Sequence, residues 1–177
     1  MPLTRVRPAR PEDCPRILDL IHALAVYEKE PDAVEGTLED LRSHLFPEPP
    51  TEARVQAHVA EVDDGDGTGW HVEGIAVWFV TFSTWKVRHG MWLEDLFVEP
   101  RRRGLGLGRA LLTELARICT DRGYPRFEWW VLDWNTPAHG FYESLGAFGQ
   151  DEWTVWRLTG DPLTALGSAP PASRPRR

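Results

Sequence analysis

The chain has 177 residues, of which 42% are hydrophobic and 27% are charged, and its formal net charge is -7 at pH 7. This length suffices for one hydrophobic core, and the acidic balance argues against nucleic acid as the main partner. No apolar run approaches the roughly 20 residues of a membrane-spanning helix. Arg5, Arg7 and Arg10 stand near the start without an apolar stretch behind them, so we expect no secretory signal, no membrane contact and a cytoplasmic location.

In the first half of the chain, hydrophobic periodicity predicts a strand, two helices and three further strands. Thr37 with Asp40 three residues later resembles a capping box and opens the second helix. An acidic glycine loop starts at Asp63, but it lacks the full EF-hand pattern and is interpreted as a hairpin loop. The predicted elements are a strand at Leu3–Arg7, a helix from Pro11 to Tyr27-Glu28, a helix from Thr37 toward Leu45, and strands from Val55, at Gly74–Phe82 and at His89–Val98.

In the second half, strands and helices alternate. The pattern predicts a helix that ends at Arg122, a strand at Phe127–Asp133, a short helix and a last strand at Trp153–Leu158. Such alternation requires a crossover and at least one parallel strand pair, so we predict an α/β (α+β) fold with a mixed sheet flanked by helices. Residues 1–160 are expected to form a single domain, and the proline-rich residues 161–177 a disordered tail.

Two cysteines, Cys14 and Cys119, fall on different predicted helices, and the six histidines show neither HxxxH nor HExxH spacing. Metal sites in proteins need such clustered ligands. We therefore predict no metal ion.

A glycine-rich segment, Arg101–Leu112, joins the predicted strand His89–Val98 to an amphipathic helix. Glycines at a strand-to-helix junction let backbone N–H groups approach an anion, and the helix N-terminus favours negative charge. A Walker loop is excluded because Arg109 and Ala110 follow the last glycine, and the GxGxG spacing differs from the Rossmann GxGxxG. The remaining alternatives are a phosphate loop of another class and a plain turn.

The spacing Arg-x-x-Gly-x-Gly, at Arg103, Gly106 and Gly108, resembles the pyrophosphate-binding loop of the GNAT acetyltransferases. Further motifs resemble the diamine (spermidine/spermine) acetyltransferase branch of that family, and the similarity runs from about residue 5 to residue 158. These motifs are Arg7-Pro8-Ala9 with Asp13-Cys14, Tyr27-Glu28, Leu93-Glu94-Asp95-Leu96-Phe97-Val98, Trp134-Asn135, and Phe141-Tyr142 followed by Leu145-Gly146-Ala147.

This resemblance implies a GNAT fold, a mostly antiparallel sheet with a central parallel pair, and direct transfer of acetyl from acetyl-CoA to an amine. The pantetheine would run beside the backbone of Leu96, Phe97 and Val98, and Asn135 would contact CoA. The pyrophosphate would be held by a run of loop residues: Arg103, Gly104, Leu105, Gly106, Leu107, Gly108 and Arg109.

Acetyl transfer to an aliphatic amine needs a base, because such an amine is mostly protonated at pH 7, and an acid that protonates the leaving thiolate. By resemblance Glu94 is the base and amine-binding group, and Tyr142 is the acid. The strand alternation places Asp95 on the opposite face from Glu94, which makes it the weaker candidate. Tyr27, Glu28 and Trp85 are the further acceptor-binding candidates. A solvent-facing glutamate and a core tyrosine remain the simple alternatives for Glu94 and Tyr142.

The resemblance has one departure, since Glu143-Ser144-Leu145 stands where the polyamine enzymes carry basic residues. It also implies a homodimer, with Trp153 and Trp156 near the two-fold axis.

We expect a small cationic acceptor such as a polyamine, thialysine or a related diamine. The alternatives are another acceptor, such as a protein lysine or N-terminus, an amino acid or a xenobiotic amine, and a CoA-binding module without catalysis.

Overall fold

The structure is a computed structural model that describes residues 2–169. Among these residues, strands and helices alternate after a meander of strands. In chain order the elements are β1 (Leu3–Pro8), α1 (Cys14–Tyr27), α2 (Leu38–Leu45), β2 (Val55–Asp63), β3 (Trp70–Ser83), β4 (Arg88–Val98), α3 (Leu107–Asp121), β5 (Phe127–Trp129), α4 (Thr136–Glu143) and α5 (Gly160–Gly167). The predicted elements up to the end of α3 are thereby confirmed within a few residues.

The strands form one sheet in the order β1-β2-β3-β4-β5. The first four pair antiparallel as a meander, and β5 pairs in parallel with β4 over Met91–Leu93. Helix α3 supplies the crossover that a parallel pair requires. The predicted mixed sheet flanked by helices is confirmed, and its parallel pair lies at one edge of the described sheet.

Both faces of the sheet are covered by helices. On one face, Ile17 and Leu20 of α1 pack with Ile75 and Val77 of β3, and all four side chains are buried. Trp78, the next residue along β3, points the other way and lies under the Arg122 guanidinium at the end of α3. Each fully buried aliphatic side chain of this kind stabilises the fold by about 1.5–3 kcal/mol.

Local sequence signals explain where the first two helices begin. The predicted capping box of α2 is present: Asp40 N–H donates to Thr37 Oγ1 at 3.2 Å, and Thr37 N–H donates to Asp40 Oδ2 at 2.9 Å. Before α1, Arg7 donates to both carboxylate oxygens of Asp13, at 2.6 and 2.9 Å, and to Glu61 Oε1 at 2.7 Å. The motif formed by Arg7 and Asp13 therefore joins β1, α1 and β2.

The described residues fall into two compact units that divide between Trp130 and Val131. In the second unit α4 ends at Glu143, and the chain turns away from it at Gly146, whose φ of 88° suits a residue without a side chain.

From β5 onward, the chain differs from the sequence prediction in three ways. Strand β5 ends at Trp129, and residues 153–159 belong to none of the described strands, so the expected strand Trp153–Leu158 is wrong for this chain. A strand needs a partner as well as an alternating pattern. Part of the expected disordered tail forms α5, because Asp161 and Pro162 start a helical turn that Leu163–Leu166 continue. Residues 170–177 lie outside the described part of the chain.

Candidate active site

Strand β4 carries a β-bulge at Glu94. Val77 of β3 pairs with Asp95, yet the next residue, Trp78, pairs with Leu93, so Glu94 has no partner on β3. A bulge interrupts the alternation of side chains and turns the extra residue toward a new direction. The faces of Glu94 and Asp95 are therefore decided by the bulge and not by simple alternation.

The bulge directs both carboxylates toward the face covered by α1. Asp95 pairs with Val77, whose side chain lies in the core beneath α1. Glu94 accepts a 3.0 Å hydrogen bond from Trp92 Nε1, and Trp92 pairs with Phe79, two residues from Val77 and hence on the same face. The predicted opposite facing of Asp95 is thus wrong, because the alternation is broken between the two residues.

A third carboxylate, Glu28, belongs to the same group. Glu28 follows the last residue of α1, and its N–H donates to Leu24 O at 2.8 Å. Burial, together with the smaller effect of the nearby charges of Glu94 and Glu28, raises the pKa of Asp95 to about 6. Burial likewise raises the pKa of Glu28. Partly desolvated carboxylates of like charge are stabilised by a cation, so this cluster is suited to bind an ammonium group.

Trp92, which donates to Glu94, belongs to a group of contacting aromatic rings that we call the aromatic wall: Phe79, Trp92 and Trp130. The ring centroids of Trp92 and Trp130 are 4.8 Å apart in an edge-to-face arrangement, and those of Phe79 and Trp92 are 6.4 Å apart. Trp130 is 60% exposed. Sequence reasoning missed this wall and selected Trp85, which lies in the turn between β3 and β4 and is 84% exposed. The only sequence signal was the aromatic residue two positions before Glu94.

Within residues 2–169, β4 has an open backbone edge after the bulge. Strand β5 pairs only with Met91, Trp92 and Leu93, and its pairing stops there. Leu96–Val98 pair with β3 on one side, which leaves their other edge unpaired by β5. An unpaired strand edge accepts an extended, amide-bearing ligand as an additional strand. The predicted pantetheine slot beside Leu96, Phe97 and Val98 lies along this edge and stays a prediction.

The glycine-rich segment follows this edge and leads into α3. Gly104 and Gly106 have φ values of 85° and 79°, which residues with side chains rarely adopt. Gly106 is the N-cap of α3, and its carbonyl accepts the first helical bond from Ala110 N–H at 2.9 Å. The amides of the first helical turn have no helical partner and can bind an anion. The side chain of Leu107 is buried in the core, so this residue offers only its backbone to a ligand.

Arg103, the first residue of the Arg-x-x-Gly-x-Gly motif, contacts an acceptor candidate. Its guanidinium lies 4.8 Å from the ring centroid of Tyr27, the last residue of α1. A guanidinium over an aromatic face is attracted by the ring quadrupole. The fold therefore brings together the end of α1, the carboxylate cluster and the start of the glycine loop.

The remaining two candidates, Asn135 and Tyr142, lie in the second unit. Asn135 occupies the N-cap of α4, and its carbonyl accepts from Ala138 N–H at 2.9 Å, but its side chain does not accept a capping hydrogen bond. Tyr142 lies in the last turn of α4, and its ring centroid is 5.3 Å from that of Phe141. Capping by its side chain therefore does not account for Asn135.

The fold and these residues define a class of protein. Residues 33–147 match the model of the acetyltransferase (GNAT) family, and the chain belongs to that family and is an acyltransferase. Acetyl-CoA is the co-substrate of this family. The resemblance inferred from the motifs is confirmed, including the diamine-acetyltransferase-like branch.

Among its relatives, the chain is 35% identical to a thialysine N-epsilon-acetyltransferase of Bos taurus, over 94% of this chain and 98% of the relative. It is 30% identical to an L-ornithine N5-acetyltransferase of Arabidopsis thaliana, over 92% of this chain and 87% of the relative. A solved integron cassette protein from the mobile metagenome of V. cholerae superposes with a TM-score of 0.74, at 24% identity over 94% of this chain and 98% of that protein. The last comparison shows the fold alone.

Two further observations concern the described residues. Within residues 2–169, no three metal-ligating side chains lie together as a candidate metal site. In the same part of the chain, every helix is too short or too polar to cross a membrane.

Proposed function

We propose that this acyltransferase transfers acetyl from acetyl-CoA to a primary amine of a small diamine, such as a diamino acid or a polyamine, within one catalytic domain formed by residues 1–160. The observation that carries the proposal is the cluster of Glu28, Glu94 and Asp95 beside the open edge of β4. The relatives that act on thialysine and ornithine support the same acceptor class, because both compounds carry two amines on a short chain.

The donor would be held by backbone groups. Amides of Gly104–Arg109 would bind the pyrophosphate, where the dipole of α3 adds favourable potential. The open edge at Leu96–Val98 would pair with the pantetheine amides, which would place the thioester near the bulge. Arg103 and Asn135 would supply further contacts to CoA.

The acceptor would bind as a cation and react as a free amine. In the proposal Glu94, which is exposed, binds the ammonium group and takes its proton directly or through water. Asp95 lies behind it with a pKa of about 6 and is the second proton acceptor of the pair. Glu28 and Tyr27 would hold the distal amine, and Tyr142 would protonate the departing CoA thiolate.

The function is tested by measuring CoA release over a panel of amines: thialysine, ornithine, spermidine, spermine, a lysine peptide and an arylalkylamine. We expect the highest kcat/KM for one of the small diamines. Saturation by the peptide alone would contradict the proposed acceptor class and favour protein acetylation. Acetyl-CoA binding without turnover of any amine would favour the non-catalytic alternative.

The aromatic wall supports a prediction about acceptor binding. The Trp92→Phe variant keeps an aromatic ring but loses the Nε1–H that donates to Glu94. We expect KM for the amine to rise roughly threefold to tenfold, as for the loss of one hydrogen bond to a charged group, with KM for acetyl-CoA unchanged. The matched control is Trp70→Phe, because Trp70 lies at the start of β3 under Arg5. Equal amine KM values for Trp92→Phe and wild type would contradict the role.

The exposed end of the second unit supports a homodimer. Trp153, Val155 and Trp156 are 69%, 54% and 91% exposed, in a segment that belongs to none of the described helices and strands. Large apolar side chains exposed together mark interaction surfaces, and a second copy of the chain is the occupant that the family resemblance implies.

Measuring the molecular mass of the protein in solution tests whether the surface around Trp156 forms a dimer interface. We expect a dimer for the wild type and a monomer for Trp156→Glu, since a charge at a buried interface is costly. Trp85→Glu, at another highly exposed tryptophan, is the control and should remain dimeric. A wild-type monomer at tens of micromolar would contradict the proposed dimer.

A further inference from the structure

Glu73 is a buried carboxylate that the proposed chemistry does not use. It lies on β3, is 1% exposed, and accepts hydrogen bonds from Arg101 Nη2 at 2.7 Å and from Arg102 Nε at 3.1 Å. Arg16 Nη2 of α1 lies 3.4 Å from the same carboxylate. A buried carboxylate is stable only when it is paired and hydrogen-bonded, so the charged form of Glu73 depends on these three arginines.

The two arginines nearest to Glu73 belong to the turn that enters the glycine loop. Arg101 and Arg102 end the turn Pro100–Arg102, immediately before Arg103. The backbone is held at the same place, because Glu99 N–H donates to Glu73 O at 2.9 Å. The segment between β4 and the loop is thus fixed to β3 by one residue through both its carbonyl and its side chain.

A second carboxylate strengthens the attachment of Arg102. Its two terminal nitrogens donate to Asp64 Oδ1 and Oδ2 at 2.9 and 2.5 Å, in the loop between β2 and β3. Arg102 is therefore shared between Glu73 and Asp64, and only 16% of its side chain is exposed. Planar bidentate pairing of this kind restricts the guanidinium more than a single contact does.

These contacts determine what the arginines can do. The basic run Arg101-Arg102-Arg103 has the composition of an anion-binding patch, yet its first two residues are engaged by carboxylates of the same chain. Their positive charges are neutralised at β3 and at the β2–β3 loop. Their contribution to anion binding is consequently indirect, through the conformation of the backbone that follows them.

We propose that Glu73 is a positioning residue for the donor site: by holding Arg101 and Arg102, it keeps the amides of Gly104–Arg109 in the conformation that binds the pyrophosphate of acetyl-CoA. This inference rests on the proposed role of the glycine loop as the pyrophosphate site. It assigns to Glu73 an effect on the nucleotide half of the donor and none on the thioester chemistry.

The test compares two acetyl donors on the Glu73→Gln variant. Acetyl-CoA contains the pyrophosphate, whereas S-acetylpantetheine lacks it and would make no contact with the pyrophosphate-binding loop. With one good amine, we expect kcat/KM for acetyl-CoA to fall roughly tenfold, through KM and not through kcat, and the value for S-acetylpantetheine to stay within about twofold. Calorimetric binding of CoA should weaken by the same factor. Equal losses with both donors, or no loss with acetyl-CoA, would overturn the proposal.

Two further variants keep the test decisive if Glu73→Gln folds poorly. Asp64→Asn removes the exposed partner of Arg102 without leaving a buried charge alone, and we expect a twofold to threefold loss for acetyl-CoA only, a change on the order of a weak surface ion pair. Glu114→Gln is the matched control, because Glu114 pairs with Arg117 on the exposed side of α3, and both donors should be unaffected.

The wild type separates this inference from the function on which it rests. A wild type that acetylates no amine contradicts the proposed function. A wild type that uses acetyl-CoA and S-acetylpantetheine with equal kcat/KM contradicts the loop as a pyrophosphate site, and with it the role of Glu73. If both Glu73→Gln and Asp64→Asn keep the full wild-type ratio of kcat/KM for acetyl-CoA to kcat/KM for S-acetylpantetheine, only the role of Glu73 is contradicted.

Discussion

The Glu94→Gln variant is expected to lose a factor of roughly 10² to 10³ in kcat/KM for the acceptor, the range typical of a missing general base. Glutamine keeps the shape at the bulge and can still accept the hydrogen bond from Trp92, but it neither attracts an ammonium group nor takes a proton. Steady-state rates at several pH values measure the effect. Glu39→Gln, an exposed acid in the first turn of α2, is the control for a lost charge.

Asp95 determines the expected pH dependence of the same step. With a pKa of about 6, Asp95 is protonated below that pH and cannot accept a proton, so kcat/KM should fall as the pH drops through 6. The Asp95→Asn variant should lose this acidic limb together with activity. A limb that persists unchanged in Asp95→Asn and disappears in Glu94→Gln would leave Glu94 as the sole acceptor of the proton.

Thermal unfolding separates this role of Asp95 from a structural one. Folding raises the pKa of Asp95 above its value of 3.8 in the unfolded chain, so its ionisation lowers stability progressively from about pH 3.8 to about pH 6, fully above that, and not at all well below 3.8. We therefore expect Asp95→Asn to raise Tm at pH 7 to 8 and to leave it unchanged near pH 3. A variant that is both less active and more stable indicates a group retained for chemistry.

The Tyr142→Phe variant is expected to lower kcat by about 10²-fold with little change in KM for acetyl-CoA, because the phenol would protonate the thiolate only as the thioester breaks. Tyr124→Phe is the matched control, since Tyr124 lies just after α3 beside His89. Unchanged turnover of Tyr142→Phe at every pH would remove Tyr142 from the mechanism.

Much of the candidate site follows from local patterns. The spacing of Arg103, Gly106 and Gly108 indicated the loop, and the structure gives positive φ values at Gly104 and Gly106 where the loop turns into α3. The end of α1 at Tyr27 followed from the spacing of its apolar residues. Helix periodicity, caps and glycine turns depend on residues a few positions apart, and such signals are readable along the chain.

The errors of prediction involve partners that are distant in the sequence. Trp153–Leu158 alternates like a strand, but no described strand pairs with it, and pairing is what makes a strand. Asp95 was assigned to the wrong face because the bulge depends on how β4 aligns with β3. Trp130 was missed because its neighbour in space, Trp92, lies 38 residues earlier in the sequence, on β4.

By itself, then, the amino-acid sequence determined the family, the order of the elements down to α3 and the glycine-rich turn that leads into α3, since these depend on short-range spacing and turn chemistry. The tertiary structure alone decided that the buried Asp95 feels the charges of Glu28 and Glu94, that β5 stops pairing with β4 after Leu93, and that Arg101 and Arg102 face Glu73. Each of these depends on strand register, and register is set by contacts between segments that the chain brings together only when it folds.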